Sequence, residues 1–240
     1  MRLDKFLADM GAGSRSDLKS AIRKKRVTVN GEIVRDSSMA VTENDTVTLD
    51  GVTVLYETTQ YFLMNKPSGV ITATEDKRME TVLDLLSLPH RTDLFPVGRL
   101  DRDTEGLLLI TNDGDLNHRL LSPKHHVDKT YFAKIDGEVT PEDVRKFASG
   151  IFIDDDEGPA FKALPADLKI LSAGNGVSEI EVTLQEGKYH EVKRLFKAVG
   201  KRVAYLRRIS MGPLRLDESL APGKCRKLTS EEIEALQNVQ

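Results

Sequence analysis

Four consecutive branched apolar residues, Leu107-Leu108-Leu109-Ile110, constrain the fold of this chain more than any other stretch. Successive side chains of a strand point to opposite faces, so a strand built from this run is apolar on both. Such a strand belongs in the middle of a sheet. The flanking segments supply its neighbours. Tyr61-Phe62-Leu63-Met64 reads as a short buried strand ended by the turn Lys66-Pro67-Ser68-Gly69, and Val177 to Leu184 as a partly alternating strand. Thr81 to Leu86 reads as a short helix, and Asp113-Gly114 opens another that runs to Leu121. Thr140-Pro141 starts a helix ended by Gly150, and Tyr189 to Val199 forms one closed by Gly200. Thr229-Ser230-Glu231-Glu232 is a capping box for the last helix. Strands outnumber long helices and do not alternate regularly with them. The fold class is therefore α+β with a largely antiparallel sheet, rather than a doubly wound parallel one.

The first fifty residues are a different kind of segment. Leu3, Phe6, Leu7 and Met10 predict a short amphipathic helix stopped by Gly11-Ala12-Gly13. Ser14 or Ser16 caps a second helix with Leu18 and Ile22 facing inward, and Val27 to Val34 is a hairpin around Asn30-Gly31. The acidic, Thr-rich continuation with Asp50-Gly51 reads as a last strand and a linker.

Charge is where composition enters. Thirty-five Lys and Arg against thirty-eight Asp and Glu give a net of −3, which taken whole disfavours a nucleic-acid partner. The distribution reverses that reading. Residues 1–35 carry a net +5 and residues 187–215 a net +8, while residues 36–65 and 136–157 carry −5 and −6. Two concentrated basic patches are the electrostatic footprint of phosphate binding. On the second helix Arg15, Lys19 and Arg23 make a stripe at successive four-residue steps, continued by Lys24, Lys25 and Arg26. A solvated helix face is the ordinary explanation of such a stripe, and its compactness argues for RNA.

Several function classes drop out. A single cysteine, Cys225, excludes an intramolecular disulfide and a cysteine-rich zinc site, and fits a reducing cytoplasm. No apolar h-region follows the N-terminal charges, and no apolar run is long enough to span a membrane. Asp113, Asp115 and Asn117 have calcium-loop spacing, but His118 and Lys124 stand where glycine and glutamate are needed. The run Asp154-Asp155-Asp156-Glu157 is better read as a solvated loop than as a cation site. His118, His125 and His126 lack the context of a zinc site.

What remains is Gly98-Arg99-Leu100-Asp101-Arg102-Asp103-Thr104-Glu105-Gly106. Arg99, Asp101 and Asp103 share a side if the chain is extended there. A carboxylate flanked by cations stays charged, as a nucleophile or a stabiliser of positive charge must, and a salt-bridged turn is the structural alternative.

The segment "MRLDKFLADMGAGSRSDLKSAIRKKRVTVNGEIV" resembles the S4 RNA-binding domain, over about residues 1–48. "VGRLDRDTEGLLLITNDG" resembles the signature of the pseudouridine synthases, in the branch that modifies ribosomal RNA. "YFLMNKPSGV", "SPKHHVDKTYFAKIDG" and "EGKYHEVKRLFKAVGKRVAYLRRISMGPLRL" match further blocks of that branch in order, and the "EGKYHEVKR" wording is most similar to its small-subunit members. The resemblance implies a division into an S4-like domain at 1–48, a linker at 49–60 and a pseudouridine synthase domain at 61–240. It implies Asp101 as the catalytic aspartate, Arg99 as the arginine inserted where the flipped uridine was, and Tyr131 as the tyrosine against the target base. Lys193 matches a basic residue paired with the aspartate, with the adjacent Arg194 as the alternative. Arg2, Lys5, Arg15, Lys19, Arg23, Lys24, Arg26, Lys197, Arg207 and Arg208 become the candidates for holding RNA phosphates, while Phe196 reads as core. No cofactor or metal is implied, since the isomerisation needs no redox step or activated donor. The expected partner is ribosomal RNA, 16S before 23S, free or in an assembling subunit, with a cytoplasmic monomer sufficient. A non-catalytic S4-type ribosome-associated protein is the alternative class.

Overall fold

The computed structural model describes residues 1–54, 59–86 and 93–239, so part of the expected linker, residues 55–58, lies outside the described residues. The chain divides into two compact units, Met1–Gln60 with Leu86–Leu94, and Tyr61–Leu85 with Phe95–Gln240.

In the first unit, helices α1 (Leu3–Asp9) and α2 (Arg15–Arg23) precede strands β1 (Val27–Val29), β2 (Glu32–Ile33), β3 (Val47–Leu49) and β4 (Val52–Val54), paired in the order β2-β1-β3-β4. Leu3, Phe6, Leu7, Leu18 and Ile22 pack with Val27, Val29 and Val47 in one core. Ser14, not Ser16, caps α2 by accepting from the Asp17 N–H at 3.2 Å. Asn30 and Gly31 both have positive φ (52° and 84°), the backbone that a type I′ turn demands.

The second unit holds β5 (Tyr61–Lys66), β6 (Phe95–Pro96), β7 (Glu105–Thr111), α3 (Gly114–Leu121), β8 (Lys129–Asp136), α4 (Pro141–Ser149), β9 (Phe152–Ile153), β10 (Phe161–Lys162), β11 (Asp167–Gly174), β12 (Val177–Leu184), α5 (Glu191–Ala198), β13 (Arg202–Met211), β14 (Leu214–Arg215), β15 (Cys225–Lys227) and α6 (Ser230–Gln237). Its main sheet, nine strands among the described residues, runs β11-β12-β8-β13-β7-β5-β15, with β14 beside β13 and β6 beside β7. Every pairing in it is antiparallel except β13 with β7, which are parallel and meet only at Arg207–Glu105 and Arg208–Gly106. The Leu107–Ile110 run is fully buried in β7, as its two apolar faces require.

That parallel pairing is a seam between two cores. On one side Ala133, Ile135, Ile180 and Val182 of the sheet pack with Phe147 of α4 and with Val192, Leu195 and Phe196 of α5. On the other, Leu63, Leu107 and Leu109 pack with Leu116 and Leu120 of α3 and Leu236 of α6. No helix among the described residues is long and apolar enough to cross a membrane.

Two expected helices differ. Thr81–Leu86 is a set of turns: the Thr81 N–H and hydroxyl both donate to Asp84 (2.8 and 2.9 Å), a local side-chain closure that competes with helix propagation. Helix α5 starts at Glu191 rather than Tyr189, because His190 takes left-handed dihedrals (φ 50°, ψ 30°).

Candidate active site

The chain from Gly98 to Thr104 crosses the end of the seam, and local hydrogen bonds fix its course. Thr104 N–H donates to Asp101 O at 3.1 Å, so Arg102 and Asp103 form a turn instead of the extended run that the alternation suggests. The turn, not the extended geometry, brings Asp101 and Asp103 to a common partner. Thr72 Oγ1 donates to Leu100 O (2.8 Å) and accepts from Leu100 N–H (3.2 Å). Beneath it the fully buried Lys66 donates to the carbonyls of Thr104 (2.9 Å), Pro67 (3.0 Å) and Arg102 (3.3 Å). Burial pushes the Lys66 amine down to about 8 against the pull of Asp103, Asp101 and Glu105. Sequence reasoning attached no role to Lys66; here it holds the Asp101 loop.

Helix α5 supplies the other wall. Lys193 Nζ lies 2.9 Å from Asp101 Oδ2 and 2.6 Å from Asp103 Oδ1. Its partial burial disfavours the ammonium, but the bonds to Asp103 and Asp101 outweigh that and hold its pKa above the ordinary lysine value. His190 Nε2 sits 3.6 Å from Asp101 Oδ1, and its Nδ1 3.4 Å from Glu157 Oε2. Tyr131 of β8 and Arg99 line the same pocket as Asp101, Lys193 and His190. Arg99 is exposed and has no ion pair among the described residues. A contiguous cleft of about 700 Å³, bordered by Arg99, Asp101, Gln185, Tyr189 and His190, has the size of a small-molecule site.

Four of the named residues thus converge: Arg99, Asp101, Tyr131 and Lys193. Arg194 does not join them. It is 2% exposed, donates through Nε to Asp155 (3.0 Å) and through Nη2 to the carbonyls of Pro159 (3.1 Å) and Gly158 (3.3 Å), so it cannot also take a substrate. One step along a helix turns a side chain by about a hundred degrees, which separates the two neighbours. The acidic run 154–157 finds its task here, since Asp155 pairs with Arg194 while Asp156 and Glu157 take Lys197 at 2.8 and 3.1 Å.

The phosphate-holding candidates divide likewise. Arg208 is 2% exposed, with Nε donating to Leu107 O at 2.9 Å, which removes it from any RNA surface. Arg2 pairs with Asp4, Arg26 with Asp50, Lys197 with its two acids and Arg207 with Glu218. Lys19 lies 3.8 Å from Asp4. Lys5, Arg15, Arg23 and Lys24 are exposed without ion pairs among the described residues.

Sequence reasoning missed Glu191 beneath the pocket. It is 5% exposed, and burial first, then the neighbouring Glu186, pushes its carboxyl up to about 8. The folded state therefore holds a proton there that the unfolded state releases above pH 4.5, and stability falls between pH 4.5 and about 8. Glu191→Gln, which mimics the protonated form, is expected to remove that slope. In urea unfolding it is expected to exceed wild type clearly at pH 8 and to match it near pH 4.5.

Comparison with known proteins follows the same lines as this geometry. A family model described as RNA pseudouridylate synthase matches residues 60–198, and one described as S4 domain matches residues 1–47. An uncharacterized RNA pseudouridine synthase of Bacillus subtilis (strain 168) is 46% identical over 242 residues, covering 100% of both chains. Ribosomal small subunit pseudouridine synthase A of Escherichia coli (strain K12) is 40% identical over 234 residues, covering 97% of this chain and 98% of its own. A crystal structure of a pseudouridylate synthase superposes with a TM-score of 0.68 at 38% identity, over 98% of this chain and 99% of the other.

Proposed function

The chain belongs to the RNA pseudouridylate synthase family and carries an S4 domain, and from that premise we propose that it isomerises one uridine of 16S ribosomal RNA with Asp101 as the catalytic carboxylate. The observation that carries this reading is the convergence of Asp101, Lys193, Tyr131 and Arg99 on one pocket at the seam of the sheet. The reaction breaks C1′–N1, turns the uracil over, forms C1′–C5 and loses the proton from C5 as N1 gains one. Cleavage leaves positive character at C1′, which the Asp101 carboxylate stabilises by attack on the sugar or electrostatically. Lys193 holds that carboxylate in place at 2.9 Å, Tyr131 packs against the uracil, and Arg99 fills the gap in the stack. Extracting a base costs a few kcal/mol, which the inserted guanidinium and the tyrosine offset. The enzyme works as a cytoplasmic monomer, on free RNA or an assembling subunit, with residues 1–48 as the RNA-holding domain and 61–240 as the catalytic one.

The test is tritium release from 5-tritiated uridine, with 16S and 23S RNA offered separately. Release from 16S is expected. Release from 23S alone overturns the subunit assignment, and binding without release from either points to an S4-type RNA-binding protein. Replacing Arg15, Lys19 and Arg23 by Gln is expected to flatten the salt dependence of RNA affinity by about 0.7–0.9 log units per lost phosphate contact. A filter-binding titration at several salt concentrations checks this, and an unchanged slope removes α2 from the RNA interface.

A further inference from the structure

The ring of Tyr189 is an exposed aromatic surface on the cleft wall to which the mechanism gives no task. The residue is 57% exposed, yet its ring lies flat on that of His190, with centroids 3.8 Å apart and planes at 20°. Adjacent side chains ordinarily point away from each other, and it is the left-handed backbone of His190 that brings these two face to face. A residue with a Cβ is uncommon in that region and is held there by its surroundings. Here the surroundings are visible: the His190 ring stands between carboxylates, 3.6 Å from Asp101 and 3.4 Å from Glu157, which fix its plane. The Tyr189 ring is thereby backed on one face, and both residues border the cleft that contains Asp101 and Arg99.

We propose that Tyr189, backed by His190, is a stacking platform for the unpaired nucleobase next to the target uridine. The inference rests on the reading of Asp101 as the uridine-converting carboxylate. Only the imidazole separates Asp101 from the tyrosine ring, so a uridine whose C1′ reaches Asp101 has its neighbour within one base step of Tyr189. Extracting that uridine strips the neighbour of a stacking partner, and an exposed aromatic face replaces it whatever the base. Lys188 on the same cleft wall is engaged by Glu186 at 2.6 Å and by the Phe161 ring, so the platform's hold on the base is through the aromatic face rather than through a phosphate contact. The platform acts on binding and not on the chemistry, which gives it a distinct kinetic signature.

Two measurements test it, each on wild type, Tyr189→Ala and Tyr189→Phe. In the first, a single-stranded RNA oligonucleotide with 2-aminopurine beside a uridine is titrated with protein and the fluorescence followed. Quenching is expected with wild type and Tyr189→Phe and is lost with Tyr189→Ala. In the second, tritium release from 16S RNA is expected to show KM raised roughly 5- to 150-fold in Tyr189→Ala, with kcat within about twofold of wild type. Equal quenching by all three proteins overturns the platform, as does a fall in kcat at unchanged KM, which would make Tyr189 a support for His190 and Asp101 instead. If wild type releases no tritium from either RNA, the catalytic reading fails while the quenching series still decides the platform.

Discussion

Asp101→Asn is expected to lower tritium release by about 10⁴-fold or more while RNA binding persists, as removal of a reacting side chain does when the rest of the site still binds. The substitution keeps the size of the side chain and removes the charge that the proposed mechanism sets against C1′. It should not collapse the site, because Lys193 retains Asp103 at 2.6 Å and the loop is held through the backbone by Lys66 and Thr72. Asp103→Asn is the matched control. That side chain is 72% exposed and shares the same lysine, so a loss confined to Asp101→Asn separates chemistry from ion pairing. A rate within tenfold of wild type for Asp101→Asn would return this loop to the salt-bridged turn that sequence physics alone allows.

The second large effect is on stability, at Gly106→Ala. Gly106 has φ +100°, and a Cβ there would lie 2.3 Å from Arg208 O, 2.9 Å from Arg208 N and 2.9 Å from Arg207 Cγ. The first two are backbone atoms of the strand paired across the seam and cannot swing aside. Backbone strain of about 1–3 kcal/mol and overpacking of about 1–3 kcal/mol together predict a loss of about 2–6 kcal/mol in urea unfolding. Gly31→Ala supplies the comparison. Its φ is +84° with nothing within 4 Å of the new Cβ, so it carries the strain alone. Equal losses at the two positions would show that the seam yields and that close approach is not what Gly106 provides.

Much of this architecture could be read from the chain, for identifiable reasons. Leu107–Ile110 announces a central strand because burial on both faces leaves no other use for such a run. Asn30-Gly31, the Thr140-Pro141 helix start and the capping box at Thr229 are local, and local rules reach them. The Thr81 segment misled because its threonine and aspartate close on each other, a competition invisible to helix periodicity. Charge distribution pointed to RNA but overcounted the surface. Arg194 and Arg208 read as exposed cations, whereas both are buried on partners more than thirty residues away. Lys66 and His190 were in view as residues, but their contacts to the Asp101 loop join segments 36 and 89 positions apart in sequence, which no spacing rule connects. The position of Lys193 relative to Arg194 was of this kind too: the helix phase sets Lys193 beside Asp101 and Arg194 beside Asp155.

The seam has a consequence for ancestry and dissection. Asp101 and Arg99 come from the half whose strands are β5, β6 and β7, whereas Tyr131, His190 and Lys193 come from the half built on β8, β12 and β13. The halves are not independent, since β13 packs Leu206 in one core and Met211 in the other. Neither inherits a pocket. Every proposed encounter with uracil draws on both sides of a two-residue parallel join, so the smallest transmissible unit of this chemistry is the joined pair.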